Sequence, residues 1–194
     1  MFEEHNPVCN AYLQHSPDHL RTGVMMVALS IQQTWSSVGD QMEDWSRRGV
    51  RSRYVWGNKR HTHNYLLGRG KDALYRRLRA ANNDAERMDI LLDVPGLGLA
   101  KAGFTLQLWN GGGGCIDIHN IRAYNPPKSL LSLPGSATRS LRVRKINDYL
   151  SWCSELGSRT LWDNWCDNLA ARGHSFENGH AVSEAHVEYL MRVA

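Results

Sequence analysis

Strand-like alternation of apolar and polar residues is nearly missing from this 194-residue chain, which argues against a β-sandwich or barrel. No apolar run approaches the ~20 residues needed to cross a bilayer, so no membrane role is expected. The opening MFEEHNPVCN has no basic region followed by an apolar one and is not expected to act as a secretory signal, which points to the cytoplasm. Cysteine is sparse, at Cys9, Cys115, Cys153 and Cys166, with no Cys-x-x-Cys pair. That spacing suits neither a zinc site nor an iron–sulfur cluster, and buried free thiols in a reducing compartment are expected. Histidine is commoner, at nine residues. His61 and His63 alternate, and His174 and His180 flank a loop. No helical His-x-x-x-His pair carries a nearby carboxylate, so neither a metal site nor a cofactor is expected.

Acid is missing from one long stretch. Between Arg47 and Arg79 there are eleven Lys or Arg and one acid, Asp72, although the net charge of the whole chain is only +4. Tyr54, Trp56, His61, His63, Tyr65 and Tyr75 are interleaved with the basic residues. Basic residues mixed with aromatics suit a polyanion whose bases can be stacked on, that is, nucleic acid. A solvated, charged helix face fits the same composition, and the residues alone do not choose between the two.

What is abundant is helical periodicity. HLRTGVMMVALSIQQTWSSV places Leu20, Val24, Ala28 and Ile31 on one stripe and predicts a buried helix over about 18–38. A short helix is expected around Asp40–Arg48, and the region from Arg51 to Asn64 reads as irregular. Further helices are expected in KDALYRRLRAA, in DAERMDILLDV with Asp84 as cap, and in LAKAGFTLQLW, which should stop at the glycine run 111–114. Asp117 is placed to cap the next helix. SLRVRKINDYLSWCSEL and RTLWDNWCDNLAAR follow, the latter ended by Gly173, and Ser183 starts a last helix. The expected fold class is all-α, with seven to nine helices in a single unit over 1–194. No linker is long enough to free a separate domain.

Between two of these helices stands Pro95-Gly96-Leu97-Gly98. Glycines allow a tight turn and a close approach by another molecule. The first amides of the following helix point outward with the positive end of the helix dipole behind them, so a phosphate oxygen fits there without any side chain. Leu91, Leu92, Val94 and Leu97 are positioned to pack the two helices together. This is a helix-hairpin-helix pattern over about 84–109, suited to holding DNA backbone without reading sequence. A plain turn between helices uses the same residue types.

Nineteen residues after Gly98 comes Asp117, in the segment 115–122. Taken together, VPGLG, AKAGFTLQLW, NGGGGCI and DIHNIR resemble the helix-hairpin-helix DNA glycosylases of the endonuclease III superfamily, whose pattern ends in Asp-x-His-x-x-Arg. LSIQQT at 29–34 is similar to that superfamily's early DNA-facing segment. LWDNWC and the Ser-x-x-His of the last helix are similar to its C-terminal part. The resemblance covers about Thr22 to Gln33 and Met88 to Arg122, and the basic middle matches nothing in the family.

The resemblance implies two helical lobes with a cleft between them, the N-terminal and C-terminal helices forming the second lobe. It implies a monomer that acts on an extruded base in double-stranded DNA. Asp117 would stabilise an oxocarbenium-like sugar as the base leaves. Pro95, Gly96, Gly98 and Lys101 would contact the DNA backbone, and Gln32 or Gln33 would fill the gap in the duplex. The family's hairpin also binds a monovalent cation through backbone carbonyls, which the residues here neither support nor oppose. Trp56, Tyr54 and His119 are the base-pocket candidates. Trp35, Trp45, Tyr65 and His61 are further stacking candidates, whereas Trp109, Trp152, Trp162 and Trp165 are expected in the core. Arg122 fits an ion pair as well as a phosphate contact.

Bifunctional members carry a Schiff-base lysine two positions after the second hairpin glycine, and here that position is Ala100. Lys101 lies about 100° further round the helix and is expected to face elsewhere. A monofunctional hydrolase follows. The same residues leave two alternatives open. One is a phage-type enzyme that transfers a group onto a modified base on this scaffold. The other is a non-catalytic module in which Asp117 only caps a helix.

Overall fold

The computed structural model describes residues 7–30 and 35–170. The described residues form ten α-helices and two 3₁₀ turns, with no strand among them. In chain order the helices are α1 (Pro7–His15), α2 (Pro17–Leu29), α3 (Trp35–Arg48), α4 (Gly57–Tyr65), α5 (Arg69–Ala80), α6 (Asp84–Leu91), α7 (Leu99–Asn110), α8 (Ile118–Tyr124), α9 (Arg139–Leu156) and α10 (Ser158–Ala170). The all-α expectation holds for these residues. Gln32, Gln33 and the last predicted helix lie outside the described residues, as do Gly173, His174 and His180.

Two helices are apolar on nearly every side and form the centre, where an all-round apolar helix belongs. In α2 every residue from Thr22 to Leu29 is buried. In α7 Leu99 and every residue from Ala102 to Trp109 are buried. The two pack against each other, and the other helices surround them. One continuous apolar cluster runs from Tyr12 and Leu13 through Leu78, Met88 and Phe104 to Trp165. Each large apolar side chain so buried contributes roughly 1.5–3 kcal/mol. Trp109, Trp162 and Trp165 lie in this core as expected, and Trp152 packs against its edge. Cys115 and Cys153 are buried free thiols, while the side chains of Cys9 and Cys166 fall outside the description.

Four local expectations need correction. The predicted 18–38 helix stops at Leu29. There the Ser30 hydroxyl donates back to the Val27 carbonyl (2.8 Å), and the Leu29 carbonyl, which a continuing helix would satisfy from its next turn, is taken by Lys59. The short helix expected at 40–48 is the C-terminal part of α3, which begins at Trp35. The region expected to be irregular contains α4. Asp84 is not the cap of α6. Asn83 is, its side chain accepting from the Glu86 amide at 2.9 Å, and Asp84 instead accepts from Arg87 and Asn110. Both are good capping residues, so sequence preference cannot fix which one sits one position outside the helix.

α6 and α7 make the predicted hairpin. Leu91, Val94 and Leu97 are buried between them, and Leu92 packs at the edge. Its outer side is held by ions. Arg142 of α9 bonds Asp89 (2.6 Å) and Asp93 (2.7 Å), and Arg77 of α5 reaches Asp93 at 2.7 Å. Burial alone would raise the Asp93 pKa, but Arg77 and Arg142 outweigh it and hold the carboxyl below its usual range.

Candidate functional site

The turn Pro95-Gly96-Leu97-Gly98 has two unlike sides. At Gly96 (φ 91°) the close approach comes from the chain itself. A β-carbon there would sit 2.7 Å from Thr62 Oγ1 and 2.8 Å from the Asn58 carbonyl. The Thr62 hydroxyl donates to the Pro95 carbonyl at 2.6 Å and fastens α4 to the turn. At Gly98 nothing lies within 4 Å of that position. Gly98 is exposed and heads α7 with no side-chain cap. α7 therefore starts at an open position without a side-chain cap, the setting in which a helix start can take an anion.

Asp117 is half-buried and caps α8. Its Oδ1 accepts from the His119 and Asn120 amides, both at 3.0 Å. The Asp117 oxygens accept no other hydrogen bond among the described residues. The loop that carries Asp117 is fixed from four helices, α7, α8, α9 and α10. Tyr149 of α9, fully buried, donates to the Gly114 carbonyl (2.6 Å) and accepts from the Ile116 amide (3.4 Å). Gln107 of α7 accepts from the Cys115 amide (3.2 Å) and donates to the Ser158 carbonyl (2.8 Å). Ser158 donates to the Gly113 carbonyl. Asn120, fully buried, donates to the Cys115 (2.7 Å) and Leu161 (3.0 Å) carbonyls and accepts from Asn164 (2.9 Å). The glycine run exists because neighbours fill the side-chain space: a β-carbon at Gly114 would lie 2.5 Å from Leu161 Cδ1.

α7 packs directly on the loop before Asp117: besides the Gln107 bonds, a β-carbon at Gly103 would lie 2.7 Å from the Gly114 carbonyl. Burial, then the Asp117 charge, push the Cys115 thiol up to about 12, while the Lys101 ammonium pulls the other way. Lys101 meets the end of α2. It is half-buried, its ammonium donates to the Ser30 Oγ at 3.1 Å, and it lies 5.9 Å from the Phe104 ring one turn on. Phe104 itself packs against Trp162 and Trp165 of α10, at 6.4 and 5.4 Å between ring centroids.

Lys59 of α4 joins Lys101 at the end of α2. It is 5% exposed, and its ammonium donates to the Leu29 carbonyl at 3.1 Å. Burial, and secondly Lys101, hold the Lys59 pKa below the usual lysine range. The sequence had counted Lys59 only as one of many basic residues. The inner face of α4 and its C-cap is Lys59, Thr62, His63 and Leu66, all buried. This is a helical i, i+3, i+4, i+7 stripe, but three of its four members are polar, so a search for apolar periodicity passes over it.

The aromatic candidates divide. Trp56 is 59% exposed, 5.6 Å from the Lys59 ammonium, and free to meet a ligand. Tyr54 is half-buried, its hydroxyl accepting from Arg53 at 2.6 Å. Trp45, a stacking candidate by sequence, is a core residue: it is 4% exposed and donates to His63 Nδ1 at 3.0 Å. His61 is exposed, and Tyr65 and His119 are half-buried. Arg122 is exposed with no carboxylate partner among the described residues. Trp35's side chain falls outside the description.

Among the described residues no group of three metal-ligating side chains occurs, and no helix is long and apolar enough to cross a membrane. A cavity of about 460 Å³ lies elsewhere, lined by Asn83, Arg87, Ser151 and Ser158 among others, without Asp117 or Trp56. Comparison with family models, with curated proteins and with solved structures finds no match for this chain.

Proposed function

We propose that this protein is a DNA glycosylase-like enzyme that hydrolyses the N-glycosidic bond of a base turned out of the duplex into a cleft between two helical lobes. The observation that carries the reading is the packing of the Asp117 loop on α7, the helix that begins at the Pro95–Gly98 turn: Gln107 accepts from the Cys115 amide at 3.2 Å, and a β-carbon at Gly103 would lie 2.7 Å from the Gly114 carbonyl. In the reaction, the uncapped amides at the start of α7 hold a phosphate beside the flipped nucleotide. The sugar gains positive charge as the base departs. Asp117, with Oδ1 committed to two amides and the loop locked by Tyr149 and Asn120, presents its other oxygen to that charge and orients a water. Trp56 is the surface on which a base stacks. With Ala100 in place of an amine, no Schiff base forms at that position.

The test is incubation with duplexes carrying uracil, hydroxymethyluracil, oxidised guanine, alkylated purines and mismatches. Alkali-labile strand breaks and a released free base are the expected products. A heavier, intact nucleoside by mass spectrometry would replace hydrolysis with group transfer. An Asp117→Asn variant that loses nothing because no activity exists would leave a DNA-binding module. Borohydride trapping on abasic-site DNA is expected to give no efficient adduct, and one that depends on Lys101 would overturn the monofunctional reading.

A further inference from the structure

The C-terminal end of α2 gathers two ammonium groups from different helices. Lys59 from α4 and Lys101 from α7 bond to consecutive residues, the Leu29 carbonyl and the Ser30 Oγ, each at 3.1 Å. The Trp56 and Phe104 rings flank them at 5.6 and 5.9 Å. Among the described residues neither lysine forms an ion pair with a carboxylate, although ten other cation–carboxylate contacts are present.

Against two ammonium groups a helix C-terminus supplies only about half a negative charge, and among the described residues no carboxylate lies within ion-pair distance of either lysine. An ammonium has three donors. One on each lysine is spent on a neutral protein oxygen, and the Ser30 hydroxyl proton is itself spent on Val27. Four N–H groups on two adjacent cations remain, one cation almost wholly withdrawn from water. Buried charge of this kind calls for a counter-charge with several acceptor oxygens.

We propose that Lys59 and Lys101 form a binding site for a phosphate group at the end of α2, with the exposed Trp56 at its edge. The site rests on the paired ammoniums and stands whether or not the protein breaks a glycosidic bond. The phosphate belongs either to a nucleic-acid strand or to a small phosphate ester, and the two leave different traces.

The full chain is titrated with inorganic phosphate, against sodium chloride at matched ionic strength, and thermal unfolding is followed. A saturable rise in Tm with phosphate alone is expected. Lys59→Met and Lys101→Met are each expected to weaken the apparent phosphate affinity at least tenfold. Lys101 is only half-buried, so its variant reads the site even if Lys59→Met does not fold. Binding to a short unmodified duplex is then measured against salt. If the ligand is a strand phosphate, Lys101→Met lowers the slope of log K against log salt by about one and inorganic phosphate competes with the duplex. An unchanged slope with the phosphate-dependent Tm rise retained assigns the site to a small phosphate ester. No rise in Tm together with an unchanged slope overturns the proposal. So does a Lys59 side chain that NMR shows to stay neutral at pH 7 in saturating phosphate, because the strain is then relieved by losing a proton.

Discussion

The loop that presents Asp117 is buried, and the helix that presents Lys59 is buried on its inner face alone, and the two are held in opposite ways. Around Asp117 the fixing groups are neutral and numerous: Tyr149, Gln107, Ser158 and Asn120 bond the Gly113, Gly114 and Cys115 carbonyls and the Cys115 and Ile116 amides. Around Lys59 the fixing bonds are few, to the Leu29 carbonyl, through Thr62 to the Pro95 carbonyl and through His63 to Trp45, and among the described residues the ammonium has no carboxylate partner. The first arrangement builds rigidity, because partnered polar groups in a low dielectric tolerate little displacement. The second builds affinity, because an unpaired buried charge gains most when an ion of opposite sign arrives. The reaction proposed above would use both, one to aim a carboxylate and the other to receive phosphate.

The contrast breaks most sharply by filling the Asp117 loop. Gly114→Val drives a side chain into Leu161 and is expected to lower unfolding free energy by about 3 kcal/mol or more in urea titration. A variant as stable as the parent would mean that the loop is not packed as described. Next in size is Asp117→Asn. Asparagine caps a helix as well as aspartate does, so stability should move by less than about 0.5 kcal/mol. Base release, the reaction proposed for this site, should fall on the order of 100-fold. Equal loss of stability and activity would make Asp117 a structural cap.

Tyr149→Phe removes the donor to Gly114 and the acceptor for Ile116 while keeping the ring. An expected loss of about 2 kcal/mol by chemical denaturation reflects buried groups left unpaired. The smallest effect sharpens the Lys59 side. His63, one helical turn on, accepts the Trp45 N–H through Nδ1 and is therefore neutral when folded. Burial, and then Arg21, hold its pKa below the usual value. Its unfolded value is about 6.5, so this stability is complete above that pH and is lost as pH falls below it, since only the unfolded chain takes up the proton readily. Denaturation midpoints measured from pH 8 to 5 should decline below about 6.5 in the parent and less in His63→Gln.

Much of this was legible in the residues, for identifiable reasons. The hairpin helices, the stop at Gly111 (φ 80°) and the cap at Asp117 are local events, set by glycine's left-handed conformation and by short polar side chains beside free amides. The end of α2 was not legible, since Ile31 continues the apolar stripe and the helix is ended by a lysine 30 residues away. Nor was α4, whose inward face is polar. Trp45 read as a surface aromatic because its partner, His63, is distant in sequence.

By itself, then, the sequence determined an all-helical chain, the bend at Pro95–Gly98 and the aspartate at the start of α8, because each depends on residues within one or two turns. Only the tertiary structure decided that α4 closes on that bend at Gly96, that Lys101 faces inward, and that two ammonium groups converge on the end of α2. Those outcomes depend on which distant surfaces share a core, and charge and burial take their meaning from neighbours that the linear order keeps apart.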